Sequence, residues 1–313
     1  MRKIYVPLMG GLGNQLFQIA AALSVSKNSQ TCAITSLTEP RKSNNFNSDI
    51  ENFTINNRVL FLNGYKNWIV RKIINFSIRL AFNNIIKIRI LTRIIEAVDS
   101  LILSIYFKTI LKCKLCGDME FDENLKLGKS NIFLIGYFQS TKWIAPSTLE
   151  FLSTMKPKGS QTLEMEKLAN QMRIINPVSV HIRRGDYRNH PHFGLLSNDY
   201  YEIAITRLSL LKTFNEIWLF SDEPSYAISV IPNKIRERYK VVSIELSDPI
   251  LEFELMRNSS GFIISNSTFS WWSAALRYKK EAPVLYPKPW FKEITEPVEI
   301  GMDDWVSIES KWE

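Results

Sequence analysis

The residues best suited to chemistry stand in one short run, His181-Ile182-Arg183-Arg184-Gly185-Asp186-Tyr187, directly after a predicted buried strand. Two adjacent guanidiniums held at the end of a rigid strand form a fork that suits phosphate oxygens. All three histidines of the chain lie within residues 181–192. This clustering favours a functional site; a surface salt-bridge cluster is the alternative interpretation.

A second polar run, Gly10-Gly11-Leu12-Gly13-Asn14-Gln15, follows a predicted strand at residues 4–8 and precedes a predicted helix. This layout lets backbone N–H groups approach an anion or a polar ligand. A dinucleotide fingerprint would need a third glycine at position 16, which is Leu16, so a nicotinamide or flavin enzyme is not favoured. The amides of Asn14 and Gln15 suit a sugar ring or an attacking hydroxyl, with a helix cap as the alternative.

Two further strand ends carry polar residues. Residues 217–220 lead into Ser221-Asp222-Glu223, and residues 262–264 lead into Ser265-Asn266-Ser267-Thr268-Phe269-Ser270-Trp271-Trp272, which opens a helix. The carboxyl ends of parallel strands share one rim, where ligands of open α/β sheets bind. The helix N-terminus and the arginines suit a pyrophosphate, whereas the carboxylates suit a ribose hydroxyl or a guanine edge. The rim therefore predicts a nucleotide-diphosphate site.

The sequence contains no Asp-x-Asp pair of the kind that holds a catalytic cation in nucleotide-sugar enzymes. We therefore expect no metal and no cofactor. Arg183 and Arg184 would neutralise the leaving phosphate in place of a cation.

The chain of 313 residues is long enough for two domains. Residues 155–160, with Pro157 and Gly159, are typical of a linker. Helices and strands alternate from residue 161 onward, which predicts a doubly wound parallel sheet. We expect an N-terminal domain over 1–155 and a C-terminal domain over 156–313. Residues 37–65, polar and rich in asparagine, are predicted to be loop with short helices.

The formal net charge of +8 belongs to one segment, because ten Lys/Arg face only Glu96 and Asp99 within residues 66–114. Apolar and basic residues there alternate as in an amphipathic helix. A core helix with a solvated basic face and a helix on an anionic membrane surface both fit this pattern. Nucleic acid is not favoured, since no nucleic-acid fold signature accompanies the charge.

Three cysteines are too few for a closed disulfide set, which indicates a reducing compartment. Neither a signal peptide nor an apolar stretch of membrane-spanning length is found. We expect a cytoplasmic protein, with 66–114 as its candidate contact with the inner face of the cytoplasmic membrane. The lone Cys113-Lys114-Leu115-Cys116 run has no second pair that would favour a zinc site.

The runs at residues 10–15, 181–187 and 265–272, in this order along the chain, resemble the α-1,2-fucosyltransferase family, glycosyltransferase family 11. The resemblance spans residues 10–272 and is carried most specifically by 181–187 and 265–272. It implies a GT-B-like α/β fold, with two Rossmann-type domains facing a cleft. It also implies GDP-L-fucose as donor, inversion at the anomeric carbon, no required metal and a galactose-terminated glycan as acceptor. Another GDP-sugar enzyme, or a nucleotide- or glycan-binding module without turnover, is the alternative.

The resemblance also implies roles for individual residues. Arg183 would contact the pyrophosphate and Asn14 would lie near the reaction centre. Asp186 is the candidate general base, although the arginines beside it weaken a carboxylate as a base, and orienting Arg184 is its alternative role. The other candidate residues, all donor-binding, are Gly11, Gly13, Gln15, His181, Arg184, Ser221, Asp222, Glu223, Asn266, Ser267, Thr268, Phe269 and Ser270.

Overall fold

The computed structural model describes residues 3–25, 30–35, 49–55, 57–63, 113–116, 131–134, 136–158, 163–246, 248–293 and 299–313. The chain divides into two compact units, Met1–Lys156 and Pro157–Glu313. The basic segment 66–114 lies outside the described residues, except for its last two. Within the described residues, no helix is long and apolar enough to span a membrane.

The first unit is built on a five-stranded parallel sheet in the order β4-β2-β1-β6-β5. Its strands are β1 (Lys3–Pro7), β2 (Gln30–Thr35), β4 (Val59–Asn63), β5 (Cys113–Cys116) and β6 (Asn131–Leu134). Two short strands, β3 (Phe53–Thr54) and β7 (Lys156–Pro157), form a separate ladder. The helices are α1 (Leu12–Val25) and α2 (Pro146–Ser153), with 3-10 turns at Asp49–Asn52 and Thr141–Trp143.

One expectation for this unit is corrected. Residues 37–65 do not consist only of loop and short helices, because β4 pairs with β2 along Val59–Asn63 as an outer strand of the sheet. Its sequence Val-Leu-Phe-Leu is too short for its period to be distinguished from that of a helix. The CxxC run forms strand β5, which pairs with β6.

The second unit is built on a six-stranded parallel sheet in the order β10-β9-β8-β11-β12-β13. The strands are β8 (Val178–Ile182), β9 (Glu216–Ser221), β10 (Lys240–Ile244), β11 (Phe262–Ile263), β12 (Val284–Lys288) and β13 (Val306–Glu309). The helices are α3 (Leu163–Ile175), α4 (Asn198–Leu211), α5 (Pro224–Val230), α6 (Asn233–Arg238), α7 (Pro249–Arg257) and α8 (Thr268–Ala275), with a 3-10 turn at Gly185–Asn189.

This second sheet is buried on both faces. Along β9, Ile217 and Leu219 pack in one hydrophobic cluster, while Trp218 and Phe220 pack in another. Successive side chains of a strand point to opposite faces, so each cluster occupies one side of the sheet. A doubly wound parallel sheet was predicted here. The α/β class is confirmed, since each of the two units is built on a parallel sheet and contains α-helices.

The strand order creates one topological switch point in each unit. The chain leaves β8 toward β9 and β10, then returns to place β11 on the other side of β8. The first unit has its switch between β1 and β6 by the same reasoning. Crevices that bind ligands open at such points, outside the carboxyl ends of the two strands. The polar runs after β1, β8 and β11 therefore lie at switch points.

A buried arginine joins the two helices that flank the end of β11. Arg257, at the end of α7, is fully buried, and its Nε donates to the carbonyl of Leu276, just after α8, at 2.9 Å. Its Nη1 lies 2.9 Å from Oε2 of Glu254. Tyr278 stacks under the guanidinium at 4.4 Å and donates a hydrogen bond to Glu254. The hydrogen bond from Arg257 to Leu276 links the end of α7 to the end of α8, and Glu254 neutralises the buried guanidinium.

We predict that Glu254→Ala destabilises the protein by about 3–5 kcal/mol, because it leaves the charge of Arg257 buried without its partner. Urea unfolding would measure the loss. The matched control is Glu309→Ala, which removes an exposed partner of Lys311 and should cost less than about 1 kcal/mol. Equal midpoints for the two variants would contradict this role of the Arg257–Glu254 pair.

Candidate functional site

Arg183 follows the last residue of β8 and is the predicted catalytic arginine. Its side chain is 30% exposed and is held by two carboxylates. Nη2 lies 2.7 Å from Oδ1 of Asp186, and Nη1 lies 3.1 Å from Oδ2 of Asp222. The ring of Tyr187 lies beneath the guanidinium, with the ring centroid 5.4 Å from Cζ. Arg183 is thus oriented and still accessible, as an anion-binding group must be.

Asp222 joins the ends of strands β8 and β9. While Oδ2 pairs with Arg183, Oδ1 accepts a hydrogen bond of 3.0 Å from the backbone N–H of Arg184. A side chain at Gly185 would collide with this carboxylate, since a Cβ there would overlap Oδ2 of Asp222. The glycine of the motif is therefore needed because Asp222 approaches the backbone closely.

The second arginine has a different environment. Arg184 is 7% exposed, and its guanidinium forms a two-point ion pair with the carboxylate of Glu313, in which Nη2 lies 3.1 Å from Oε2. It stacks over the ring of Tyr226 at 4.3 Å, and its Nε is 3.8 Å from Oε2 of Glu223. Its donors face protein groups, so the environment of Arg184 is that of a structural residue.

Two carboxylates also have partners other than those expected. Asp186 was given the alternative role of orienting Arg184. That prediction named the wrong arginine, because Asp186 pairs with Arg183, three residues earlier. The turn Gly185–Asn189 brings positions 183 and 186 to the same side. Glu223 pairs with the exposed Arg188.

His181 lies in the interior beside the switch point. Its Nδ1 is 2.8 Å from Oγ of Ser265, the first residue of the predicted run after β11, and its ring lies 5.9 Å from that of Phe269. Burial, together with the charge of Arg183, lowers the pKa of His181 to about 3. A neutral imidazole therefore joins β8 to the residues that follow β11, as a hydrogen-bonding group and not as a cation.

Ser267 occupies the N-cap position of α8, as predicted, although its side chain makes no capping hydrogen bond. Oγ of Ser270 donates to the carbonyl of Ser267 at 3.0 Å. The amide nitrogen of Asn266 donates to the carbonyls of Phe193 and Gly194, and its buried Oδ1 has no hydrogen-bond partner among the described residues. Because β11 pairs with β8 and the hydroxyl of Tyr187 donates to the carbonyl of Asn266, the N-terminus of α8, with its partial positive charge, lies beside the carboxyl end of β8.

The glycine turn occupies the switch point of the first unit. Gly10 has a φ of 73°, a left-handed conformation that glycine adopts without steric cost. Nε2 of Gln15 donates to the carbonyl of Gly10 at 2.9 Å, and its Oε1 accepts from the N–H of Ile50 at 3.1 Å. Both ends of the Gln15 amide are therefore held by the protein, and its role in donor binding stays a prediction. Gly11 is exposed, while Gly13 is buried within α1.

Asn14 lies on α1 beside the residues that follow β6. Its Oδ1 accepts a hydrogen bond of 3.0 Å from Nε2 of Gln139. Asp49, which sequence reasoning did not single out, lies next to the turn, and the N–H of Leu12 donates to its carboxylate. Burial raises the pKa of Asp49, and this hydrogen bond opposes the rise.

Sequence reasoning missed Glu252, in the first turn of α7. Burial and the nearby charge of Asp222 raise its pKa to about 7, while Arg183 opposes the rise. Glu252 therefore lies close enough to Asp222 and Arg183 for their charges to affect its pKa. An acidic residue in the first turn of a helix is expected from the helix dipole alone, which is why its type and position carried no signal. Ser221, by contrast, serves the local chain, since its Oγ accepts the N–H of Glu223 at 3.0 Å.

The described residues contain no group of three or more His, Cys, Asp or Glu side chains that could hold a metal ion. The polar groups at both switch points are guanidiniums, amides, hydroxyls and ion-paired carboxylates. Such a set can bind an anion and a polyhydroxylated ligand through charge and hydrogen bonds.

We predict that Glu252→Gln stabilises the protein at pH 8 and has little effect near pH 4.5. The pKa of Glu252 is higher in the folded protein than in the unfolded chain. The free energy of unfolding therefore falls as the pH rises from the unfolded pKa to the folded pKa of about 7, and glutamine, which does not ionise, avoids this loss. Thermal unfolding should show a higher Tm for the variant, by a few degrees, at pH 8 only. The control Glu309→Gln should match the wild type at both pH values, and an equal response of the two variants would contradict the prediction.

The comparisons with known proteins agree with the motifs. The family model for glycosyl transferase family 11 matches residues 3–309. An O-antigen biosynthesis glycosyltransferase of Escherichia coli, WbnK, is 27% identical, over 97% of this chain and 100% of its own. An α-1,2-colitosyltransferase of Escherichia coli is 28% identical, over 99% of this chain and 100% of its own.

Among solved structures, fucosyltransferase NodZ from Bradyrhizobium aligns over 87% of this chain and 92% of its own, with 13% identity and a TM-score of 0.47. POFUT1 in complex with GDP-fucose aligns over 91% of this chain and 97% of its own, with 11% identity and a TM-score of 0.48. The match of the family model to nearly the whole chain decides the assignment. The chain belongs to glycosyltransferase family 11.

Proposed function

We propose that this glycosyltransferase moves L-fucose from GDP-L-fucose to the 2-hydroxyl of a terminal galactose, with inversion and without a required metal. The observation that carries the proposal is the placement of Arg183. It stands half-buried at the end of β8, at the switch point and beside the N-terminus of α8. The family assignment supports glycosyl transfer, and the name of the α-1,2-colitosyltransferase supports the linkage.

In the proposed reaction, the acceptor oxygen bonds to the anomeric carbon of fucose while the bond from that carbon to the β-phosphate oxygen breaks. The electron pair leaves with GDP, and the acceptor proton passes to solvent or to a carboxylate. Negative charge grows on the departing phosphate, where Arg183 stabilises it. One preorganised contact of this kind is typically worth about 3–4 kcal/mol of the barrier.

Asp186 and Asp222 orient the guanidinium of Arg183 before the donor binds. A pyrophosphate would then take over part of their ion pairing, since it carries more charge than either carboxylate. Because Asp186 pairs with Arg183 at 2.7 Å, we assign Asp186 to orienting Arg183 in preference to general base. The N–H groups of Thr268, Phe269 and Ser270, at the start of α8, complete the phosphate site.

We propose that the second unit, from residue 157, binds the donor and that the first unit holds the acceptor. His181, Asp222, Glu223 and Ser265 line the nucleoside side of the rim. Asn14 then acts near the reaction centre, from the glycine turn of the first unit, with its amide oriented by Gln139.

A galactose on an O-antigen precursor or a lipid-linked oligosaccharide is the proposed acceptor, supported by the name of the 27% identical WbnK. The basic segment 66–114 would contact the anionic inner face of the cytoplasmic membrane, where such acceptors are held. A colitosyl donor is the second candidate, because a 28% identical relative is named for colitosyl transfer.

We predict that the protein releases GDP from GDP-L-fucose in the presence of EDTA and a β-galactoside, and that Arg183→Ala lowers the rate by at least ~100-fold. The loss should appear in kcat, because the contact strengthens as the phosphate departs. Arg173→Ala is the matched control, since this exposed arginine lies at the end of α3, before β8 begins. It should retain full activity.

Equal rates for Arg183→Ala and the wild type would contradict the proposed role of Arg183. Loss of all activity in EDTA, restored by a divalent cation, would contradict metal-free transfer. Faster release of the nucleotide from a colitosyl donor than from GDP-L-fucose would show that the colitosyl donor is the preferred substrate. If no acceptor promotes release and GDP itself does not bind, the proposed function is wrong.

A further inference from the structure

The segment Val306–Glu313 runs along the edge of the second unit and is tied to the loop that precedes α4. Strand β13 pairs with β12, and the N–H of Ser197 donates to the carbonyl of Lys311 at 2.8 Å. The N–H of Glu313 then donates to the carbonyl of Leu195 at 2.9 Å. Nζ of Lys292 donates to the carbonyl of Glu313 at 3.0 Å. The backbone of Glu313 is therefore fixed from two sides.

This anchoring brings the carboxylate of Glu313 to Arg184. Both oxygens accept from the guanidinium, whose side chain is only 9% exposed, while the side chain of Glu313 is 34% exposed. Tyr226 stacks on the guanidinium at 4.3 Å. A planar, two-point pair fixes the direction of the arginine side chain as well as its position.

Arg184 passes this constraint to the catalytic arginine through Asp222. The backbone N–H of Arg184 donates to Oδ1 of Asp222 at 3.0 Å, and Oδ2 of the same carboxylate pairs with Arg183 at 3.1 Å. The backbone at Gly185 packs closely against Asp222, because a Cβ there would overlap the Asp222 carboxylate. Displacing Arg184 would therefore displace Asp222 and release one of the two ion pairs that orient Arg183.

We infer that Glu313 is a positioning residue for the donor site, acting on Arg183 through Arg184 and Asp222. The inference rests on the proposed function, because it assigns Glu313 a role in binding the diphosphate of the donor. Removing one partner of a buried ion pair also costs stability, so the effect of Glu313 on the rim is measured as GDP affinity and compared with the Tm of the same variant.

The test compares Glu313→Gln with Glu309→Gln in the full-length chain. Glu309 lies on β13, is 74% exposed and pairs with Lys311, so its substitution changes the same charge on the same segment without touching Arg184. Isothermal titration with GDP should give a Kd raised on the order of tenfold for Glu313→Gln and unchanged for Glu309→Gln. The KM for the acceptor should not change in either variant.

A double-mutant cycle separates positioning from general destabilisation. Arg184→Gln and Glu313→Gln should each weaken GDP binding, and the double variant should be no weaker than the worse single variant. Glu313→Asp, which keeps the charge but shortens the side chain, should fall between wild type and Glu313→Gln. It also provides a folded variant if Glu313→Gln has a lowered Tm.

Unchanged GDP affinity in both Glu313 variants would overturn the inference, as would additive effects of Arg184→Gln and Glu313→Gln. A weakened GDP affinity that tracks a fall in Tm equally for Glu313→Gln and Glu309→Gln would assign the segment a purely structural role. If the wild type binds no GDP, the proposed donor is wrong and the inference falls with it, which distinguishes that failure from the others.

Discussion

The second unit depends on the two-sided contact of Asp222 at the rim of its sheet. One oxygen accepts from the backbone of Arg184, and the other pairs with the guanidinium of Arg183. A carboxylate that bonds both to the main chain and to a charged side chain couples the path of the chain to the direction of that side chain. The glycine at 185 and the carboxyl end of β9 are both required by this contact.

The two adjacent arginines show how environment separates residues of the same type. Arg183 is 30% exposed at the end of β8, whereas Arg184 is buried against Glu313 and Tyr226. A buried charge that is paired at two points has little attraction left for a ligand, while a partly exposed one can exchange a carboxylate for a phosphate. Under the proposed function, Arg183 is the ligand-binding residue and Arg184 the framework residue. Conservative exchange to lysine would not preserve either role, because lysine lacks the planar fork.

Burial also sets the charge of the groups around Arg183. It keeps the imidazole of His181 neutral, with its pKa lowered to about 3, and it raises the pKa of Glu252 to about 7. Both effects have the same cause, because a charged group loses hydration in the interior. Near neutral pH the imidazole of His181 therefore adds no positive charge beside Arg183, and Glu252 is only partly ionised. The phosphate of a donor would meet an oriented cation and a helix N-terminus in a site of moderate net charge.

The sequence by itself determined the local elements and the motif residues. Alternating helices and strands after residue 161, the glycine turn after β1 and the polar runs after β8, β9 and β11 all follow from short-range patterns, and the structure has them within a few residues. The parallel, doubly wound class followed from the same alternation. Strand β4 was not predicted, because its apolar run is short and lies in a polar stretch. Helix α6 and strand β13 were not predicted either, because they are also short.

Only the tertiary structure decided which of these residues meet. The strand order placed β11 beside β8, so that Ser265 reaches His181 across 84 positions of sequence. It also gave Arg184 a partner 129 positions away, in Glu313, and brought Glu252 to the rim from a helix without a motif. Local patterns report the preferences of the backbone and the face that a residue buries. The partner of a side chain depends on which distant segments pack together, and that depends on the free energy of the whole fold.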